Sequence, residues 1–168
     1  SPMSRGLGDV YKRQTCADAV VDDTHNCNCT TDAGSMADLT DIIVCEDASA
    51  TALGAGDEVL DGNDILSYIL HTGAGGTLDV VLAENSVGTF TFDPAAGMVL
   101  GVTYYISVVV GNDLGGGTVD QGDPCLSVAM GTPVTWIENP VADAGPDQTV
   151  CGLDATMVAV PSVGTGTW

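Results

Sequence analysis

From Thr15 to Trp168 the sequence holds no lysine and no arginine, while 22 of the chain's 23 acidic residues fall in that stretch. The three basic residues, Arg5, Lys12 and Arg13, all precede it. A fold built from this stretch has no cationic side chain to set against its carboxylates, which repel one another. Salt or divalent cations are therefore expected to support the fold; the plainer reading is a solvated acidic surface that keeps the protein soluble. The same imbalance excludes nucleic-acid binding, because nothing would neutralise backbone phosphates. It also excludes electrostatic docking on an anionic membrane. The longest apolar stretches, such as 104–110, are far too short to cross a bilayer, so no membrane insertion is expected.

Hydrophobic residues make up 45% of the chain, enough for a real core and too many for wholesale disorder. They fall in alternating segments divided by Gly, Asn and Asp clusters. Residues 64–72 read as a strand with Leu66, Tyr68 and Leu70 on one face and Ile65, Ile69 and His71 on the other. Residues 77–83 and 89–92 read as two more. The clearest pattern is 102–110, with Tyr104, Ile106, Val108 and Val110 sharing a face. Segments 41–45, 126–130 and 133–137 are shorter candidates. Helical patterning is nearly absent, and the 22 glycines fit many tight turns. Short strands spaced by turns predict an all-β fold, an antiparallel β-sandwich.

A chain of 168 residues accommodates one domain plus part of another. Residues 1–14 differ from the rest in charge and pattern, resemble translated adapter or vector sequence, and are set aside from fold reasoning. Residues 15–29 read as the tail of a preceding module, and 30–138 as a complete sandwich. A boundary at Asn139-Pro140 opens 139–168, the start of a second β module that the terminus cuts off.

The motifs Cys29-Thr-Thr-Asp-Ala-Gly34, Leu60-Asp-Gly-Asn-Asp64, Gly111-Asn-Asp113 and Asp123-Pro-Cys-Leu-Ser-Val-Ala129 share a source of resemblance with Thr103-Tyr-Tyr-Ile-Ser107. Together the middle unit resembles repeat domains of the very large surface proteins of Bacteroidetes, those often ending in a gliding-motility-associated C-terminal domain. Ala142-Asp-Ala-Gly-Pro-Asp-Gln-Thr-Val-Cys151 and Pro161-Ser-Val-Gly-Thr-Gly-Thr-Trp168 resemble the start of an adjacent Ig-like or PKD-like repeat. Thr103-Tyr-Tyr-Ile-Ser-Val with its Gly-rich turn is similar to strand F and the F–G loop of fibronectin type III domains. The resemblance implies an Ig-like or fibronectin-type sandwich, export by the type IX route, and an extracellular or cell-surface location. It implies a stalk or adhesive role rather than an enzymatic one.

In an exported protein the six cysteines would meet an oxidising environment in which bridges persist. Cys45 ends an early strand and Cys125 opens a late one, so these two are expected to pair and to limit how far the module can be pulled out. Cys16 would pair with Cys27 or Cys29, and Cys151 would have its partner outside the chain. Cys27-Asn-Cys29 with His25 lacks the spacing of a structural zinc knuckle.

Asp113, Asp120 and Asp123 lie in a glycine-rich loop, 111–124, that offers the several oxygen ligands calcium requires, with Asn112 as an auxiliary. The same aspartates equally serve as turn formers, and the regular EF-hand spacing is missing. Asp57, Glu58, Asp61, Asn63 and Asp64 make a second acidic cluster. Catalysis finds no support: there is no G-x-S-x-G elbow, no phosphate-binding loop, and only His25 and His71 to act as bases. His71 reads as an edge residue. Tyr104 and Tyr68 read as core, Tyr105 as exposed if its face is solvated, and Trp136 as packing between modules. The expected function is a structural or adhesive repeat whose partners are neighbouring modules and surface glycans or proteins. The alternative is a carbohydrate-binding module organised by a calcium-bound loop.

Overall fold

The computed structural model describes residues 29–141 and Cys151. Residues 1–28, most of the second module expected from 139 onward, His25, Cys16 and Cys27 lie outside the described residues. Among the described residues nine strands run in chain order: β1 Ile42–Cys45, β2 Ser49–Thr51, β3 Asp64–His71, β4 Val81–Asn85, β5 Thr89–Thr91, β6 Thr103–Gly115, β7 Thr118–Val119, β8 Ser127–Val128 and β9 Thr132–Ile137. Among the described residues the one helical element is a 3₁₀ turn at Pro94–Ala96, capped by the Asp93 carboxylate. The fold is all-β, as the alternating pattern predicts.

The larger sheet has the order β1-β9-β6-β3-β4, with β7 and β8 also pairing on β6; the smaller sheet is β2-β5. Antiparallel bridges at Asp32–Val59 and Met36–Gly54 lay the leading segment along the chain that follows β2. The chain then crosses to the edge of the larger sheet as β1, which runs parallel to β9. That pairing makes the sheet mixed rather than purely antiparallel. β1 is reached from that bridged segment and not through a hairpin with β9, so its direction is free to match that of β9.

Alternation on β6 divides the core in two. Tyr104, Ile106, Val108 and Val110 face inward, where they meet Leu70 of β3, Val134 and Trp136 of β9, Ala50 of β2 and Phe90 of β5. This is the interior of a two-sheet sandwich. Val109, on the opposite face, packs with Ile69 and Val119, and Ile65, Leu78, Val81, Leu126 and Val128 close over them. The outer face of the central strands is therefore covered rather than solvated, and β6 is buried without a break from Ile106 to Gly111. Gly131 makes part of that cover possible: a Cβ there would meet Ser107 Oγ at 2.7 Å and Tyr105 Cβ at 2.8 Å.

Two polar contacts tie the corners. The N–H of Val99, five residues before Tyr104 in sequence, donates to the Tyr104 hydroxyl at 2.6 Å. A tyrosine bonding back to the preceding backbone in this way is the corner device of Greek-key sandwiches. Trp136 is fully buried, and its indole N–H donates to the Ala48 carbonyl at 3.0 Å. It therefore belongs to this module's own core and not to a contact between modules: on β9 it shares the inward face with Val134.

A disulfide joins Cys29 to Cys125 across 96 residues of sequence. Cys45 is a free thiol, so the expected pairing of Cys45 with Cys125, and that of Cys16 with Cys29, are both incorrect. The cause is topological. Cys45 pairs in register with Ile137, at the end of β9 near the start of β6. Cys125 sits toward the other end of β6, just ahead of Ser127, which pairs with Val110, and close to where Thr31 bonds Asp64 and the Ala33 N–H bonds Ser127 Oγ. Closing a loop of this size stabilises by about 4–5 kcal/mol on the chain-entropy model.

Trp136→Ala is expected to cost about 3–5 kcal/mol for the lost volume. Tyr104→Phe should cost about 1 kcal/mol for the corner hydrogen bond. Urea unfolding at fixed salt measures both, and a near-neutral Trp136→Ala would contradict its place in the core.

Candidate functional site

The two acidic loops, far apart in sequence, meet at one pole of the sandwich. The β3–β6 register places Asp64 opposite Asn112 and Ile65 opposite Gly111. Beyond that pair, the Asp113 N–H donates to the Asn63 carbonyl at 3.1 Å, and the Asn63 amide bonds the Asn112 side chain. The hairpin from β6 to β7 turns through Gly115, Gly116 and Gly117, all at positive φ, which side-chain-bearing residues rarely adopt. The Cys29–Cys125 bridge lies at the same pole, directly after Asp123.

Each carboxylate singled out in the 111–124 loop accepts from nearby backbone. Asp113 Oδ1 takes the Gly115 N–H at 2.7 Å, and Asp120 Oδ1 takes the Gly122 N–H at 2.9 Å. Asp123 is almost fully buried and uses both oxygens, Oδ2 for the Asn112 N–H and Oδ1 for the Cys125 N–H, each at 2.9 Å. These are the bonds of turn-forming aspartates. Asn112 adds its carbonyl as acceptor for the Asp120 N–H at 2.8 Å. Among the described residues no group of three or more His, Cys, Asp or Glu is gathered so as to hold a metal ion.

The second cluster is built on the same rule. Asp64 Oδ2 accepts from Thr31 Oγ1 at 2.7 Å and from the Asp61 N–H at 3.0 Å. Asp57 takes the Ser35 N–H and hydroxyl, both at 2.8 Å, and these bonds hold its carboxyl below the usual range. Asp38 is likewise lowered, by the Thr40 hydroxyl first and then by the Thr40 N–H. Glu84 of β4 reaches the Val119 N–H at 2.8 Å and so tethers β7 to the larger sheet.

His71 departs furthest from expectation. It is not an edge residue: β3 lies between β4 and β6, and the ring is fully buried on the outer face beneath residues 72–80. Its Nε2 is 2.8 Å from Ser107 Oγ, and the ring stacks on Tyr105 at 6.1 Å between centroids. Nδ1 is buried without a hydrogen-bond partner, as is the Ser67 hydroxyl four residues earlier on β3. Burial pushes the imidazole below its ordinary pKa, against the opposing pull of Leu78, Asp79, Gly73 and Thr77. The expected strand at 77–83 begins only at Val81, because 77–80 instead folds over this ring. Gly73 allows the close approach there, since a Cβ would lie 2.0 Å from the Thr77 carbonyl oxygen.

The remaining aromatic side chains also serve the fold. The Tyr68 hydroxyl accepts the Gly54 N–H at 3.2 Å, and Tyr104 closes its corner. Tyr105 is half-buried against His71. No family model, curated protein or solved structure matches the chain.

His71 gives the fold a pH dependence of definite sign. The unfolded chain titrates its histidine near 6.5, whereas the native ring resists protonation down to its lowered value. Below pH of about 6.5 the unfolded state binds more protons, so stability falls with pH until the native pKa is passed. Relief of carboxylate repulsion acts in the opposite direction in any variant. Comparing urea midpoints of the parent chain and His71→Gln at pH 7.5 and 5.5 isolates the histidine. The parent should lose more stability than the variant; equal losses would contradict a buried neutral imidazole.

Proposed function

We propose that this chain is a structural repeat of a secreted or cell-surface protein, a link that transmits tension along a larger polypeptide and spaces its neighbours. The observation that carries the reading is the placement of the two ends of the described module. Cys29 is held beside Cys125 and Asp123, at the end of β6 marked by Asn112. The exit after β9 lies at the opposite end, where Thr135 pairs with Thr103 and the Asn139 N–H reaches Glu46. Between the two runs the 13-residue β6, about 40 Å at about 3.3 Å per residue. A chain entering one pole and leaving the other loads its strands lengthwise. Ladder hydrogen bonds are then strained together rather than one after another.

Three further features agree with this reading. The disulfide fits an oxidising compartment outside the cytoplasm. Among the described residues no helix is long and apolar enough to cross a membrane. Asp113, Asp120 and Asp123 serve as acceptors that lock turns, which asks nothing of a ligand.

The test is the direction of pulling. Rupture through the chain termini should need more force than rupture through handles on the two edge strands of the larger sheet, at Ile43 of β1 and Ala83 of β4. Equal forces would sink the load-bearing reading. The carbohydrate-binding alternative predicts instead specific retention on a glycan array. It also predicts a melting temperature that rises with millimolar calcium beyond a sodium chloride control of equal ionic strength.

A further inference from the structure

The disulfide sits where it decides which part of the module carries tension. Cys29 is the first described residue of the module, and its partner Cys125 lies just ahead of β8 and β9. Tension arriving at Cys29 therefore has two covalent routes to the exit. One follows the backbone through β1 to β7. The other crosses the sulfur–sulfur bond, whose Cα atoms are 5.5 Å apart, and continues directly into residues 126–141. Under load the shorter route becomes taut first and the longer one stays slack.

We infer that the Cys29–Cys125 bridge is a load bypass: it removes the chain from Thr30 to Pro124 from the tension path and confines pulling to the β8–β9 segment. This inference rests on the load-bearing reading for its purpose, but its geometry stands on the bridge alone. The loaded segment is well placed to resist. β9 lies between β1 and β6 in the larger sheet, with parallel pairing on one side and antiparallel pairing on the other. It buries Val134 and Trp136 completely, and the Thr132 hydroxyl and Trp136 indole bond the Asp38 and Ala48 carbonyls from the segments flanking β1. β8 continues the same lane along Val109 and Val110 of β6. To be drawn out, this lane must slide against both neighbours at once. Even if it fails, little length is released. Taut, residues 125–141 span about 60 Å, only about 20 Å more than the folded module, whereas the full path from residue 29 would span about 400 Å.

The experiment is single-molecule extension of the whole chain, held by its two termini under non-reducing conditions. Rupture of the sandwich should add about 20 Å of contour length in the unmodified chain and about 360 Å in the Cys29→Ser/Cys125→Ser double variant. A step of about 360 Å in the unmodified chain would overturn the bypass, as no bridge would then span the path. A step of about 80 Å would overturn it too, because that is the length a Cys45–Cys125 bridge would leave free. The unmodified chain alone decides the matter if the double variant does not fold. A short step at negligible force would support the bypass while removing the load-bearing function assigned to it.

Discussion

Eight consecutive residue pairs between β3 and β6, from Asp64–Asn112 to His71–Tyr105, form the axis to which the rest of the molecule is registered. On its other side β6 also receives β9 and β8, and its tip receives β7. A slip of one residue in this pairing would exchange the two faces of the strand. Tyr104, Ile106, Val108 and Val110 would leave the sandwich interior, and Ser107 would enter it. The covered outer face makes the register more definite still, because Ser107 is matched there to His71 across the sheet.

The shortage of cations is met through backbone chemistry. With no lysine or arginine after Arg13, a carboxylate within the module has no basic side chain from the described residues except the buried His71. The carboxylates that lie closest to the fold instead accept backbone N–H groups: Asp57 from Ser35, Asp93 from Ala95, Asp123 from Asn112 and Cys125, Glu84 from Val119. Charge-assisted bonds of this kind are stronger than neutral ones and need no counter-ion. They also place the acids at turns, so the residues that burden the fold electrostatically are the ones that shape its loops. The pole where the 57–64 and 111–124 loops meet is built in this manner.

Much of the strand framework was legible in the sequence because alternation survives wherever one face is apolar. The inward sets on β3 and β6 follow directly from it, as do β5 and β9. Strands lacking that signal escaped. β2, Ser-Ala-Thr, and β7, Thr-Val, are too short to show a period, and only their partners make them strands. β6 runs five residues beyond its expected end because Gly111 and Asn112, which read as a turn, are held extended by pairing with Ile65 and Asp64. His71 misled for a related reason: it closes its strand pattern and so reads as an edge residue, yet the chain from Gly73 to Leu78 folds back over its ring. At the acidic pole the residues were legible and their meeting was not, since it depends on a register joining positions about 50 apart. The cysteine pairing was likewise hidden, because contacts such as Ala33 with Ser127 link segments 94 residues apart.

Whether the module acts as a link with a protected interior depends above all on the partner of Cys125. With Cys29 as partner, the entry of the module is fastened to the start of its exit lane, and the intervening strands fold inside a closed loop. With Cys45 the loop would begin at the far pole, and β1 with the segment leading into it would stand in the path of tension. The most direct measurement is peptide mapping of the unreduced protein, cut at its many aspartates and glutamates because no tryptic site follows Arg13. A linked pair containing Cys29 and Cys125, with Cys45 recovered as a free thiol, is the predicted result. Recovery of Cys45 linked to Cys125 would contradict it.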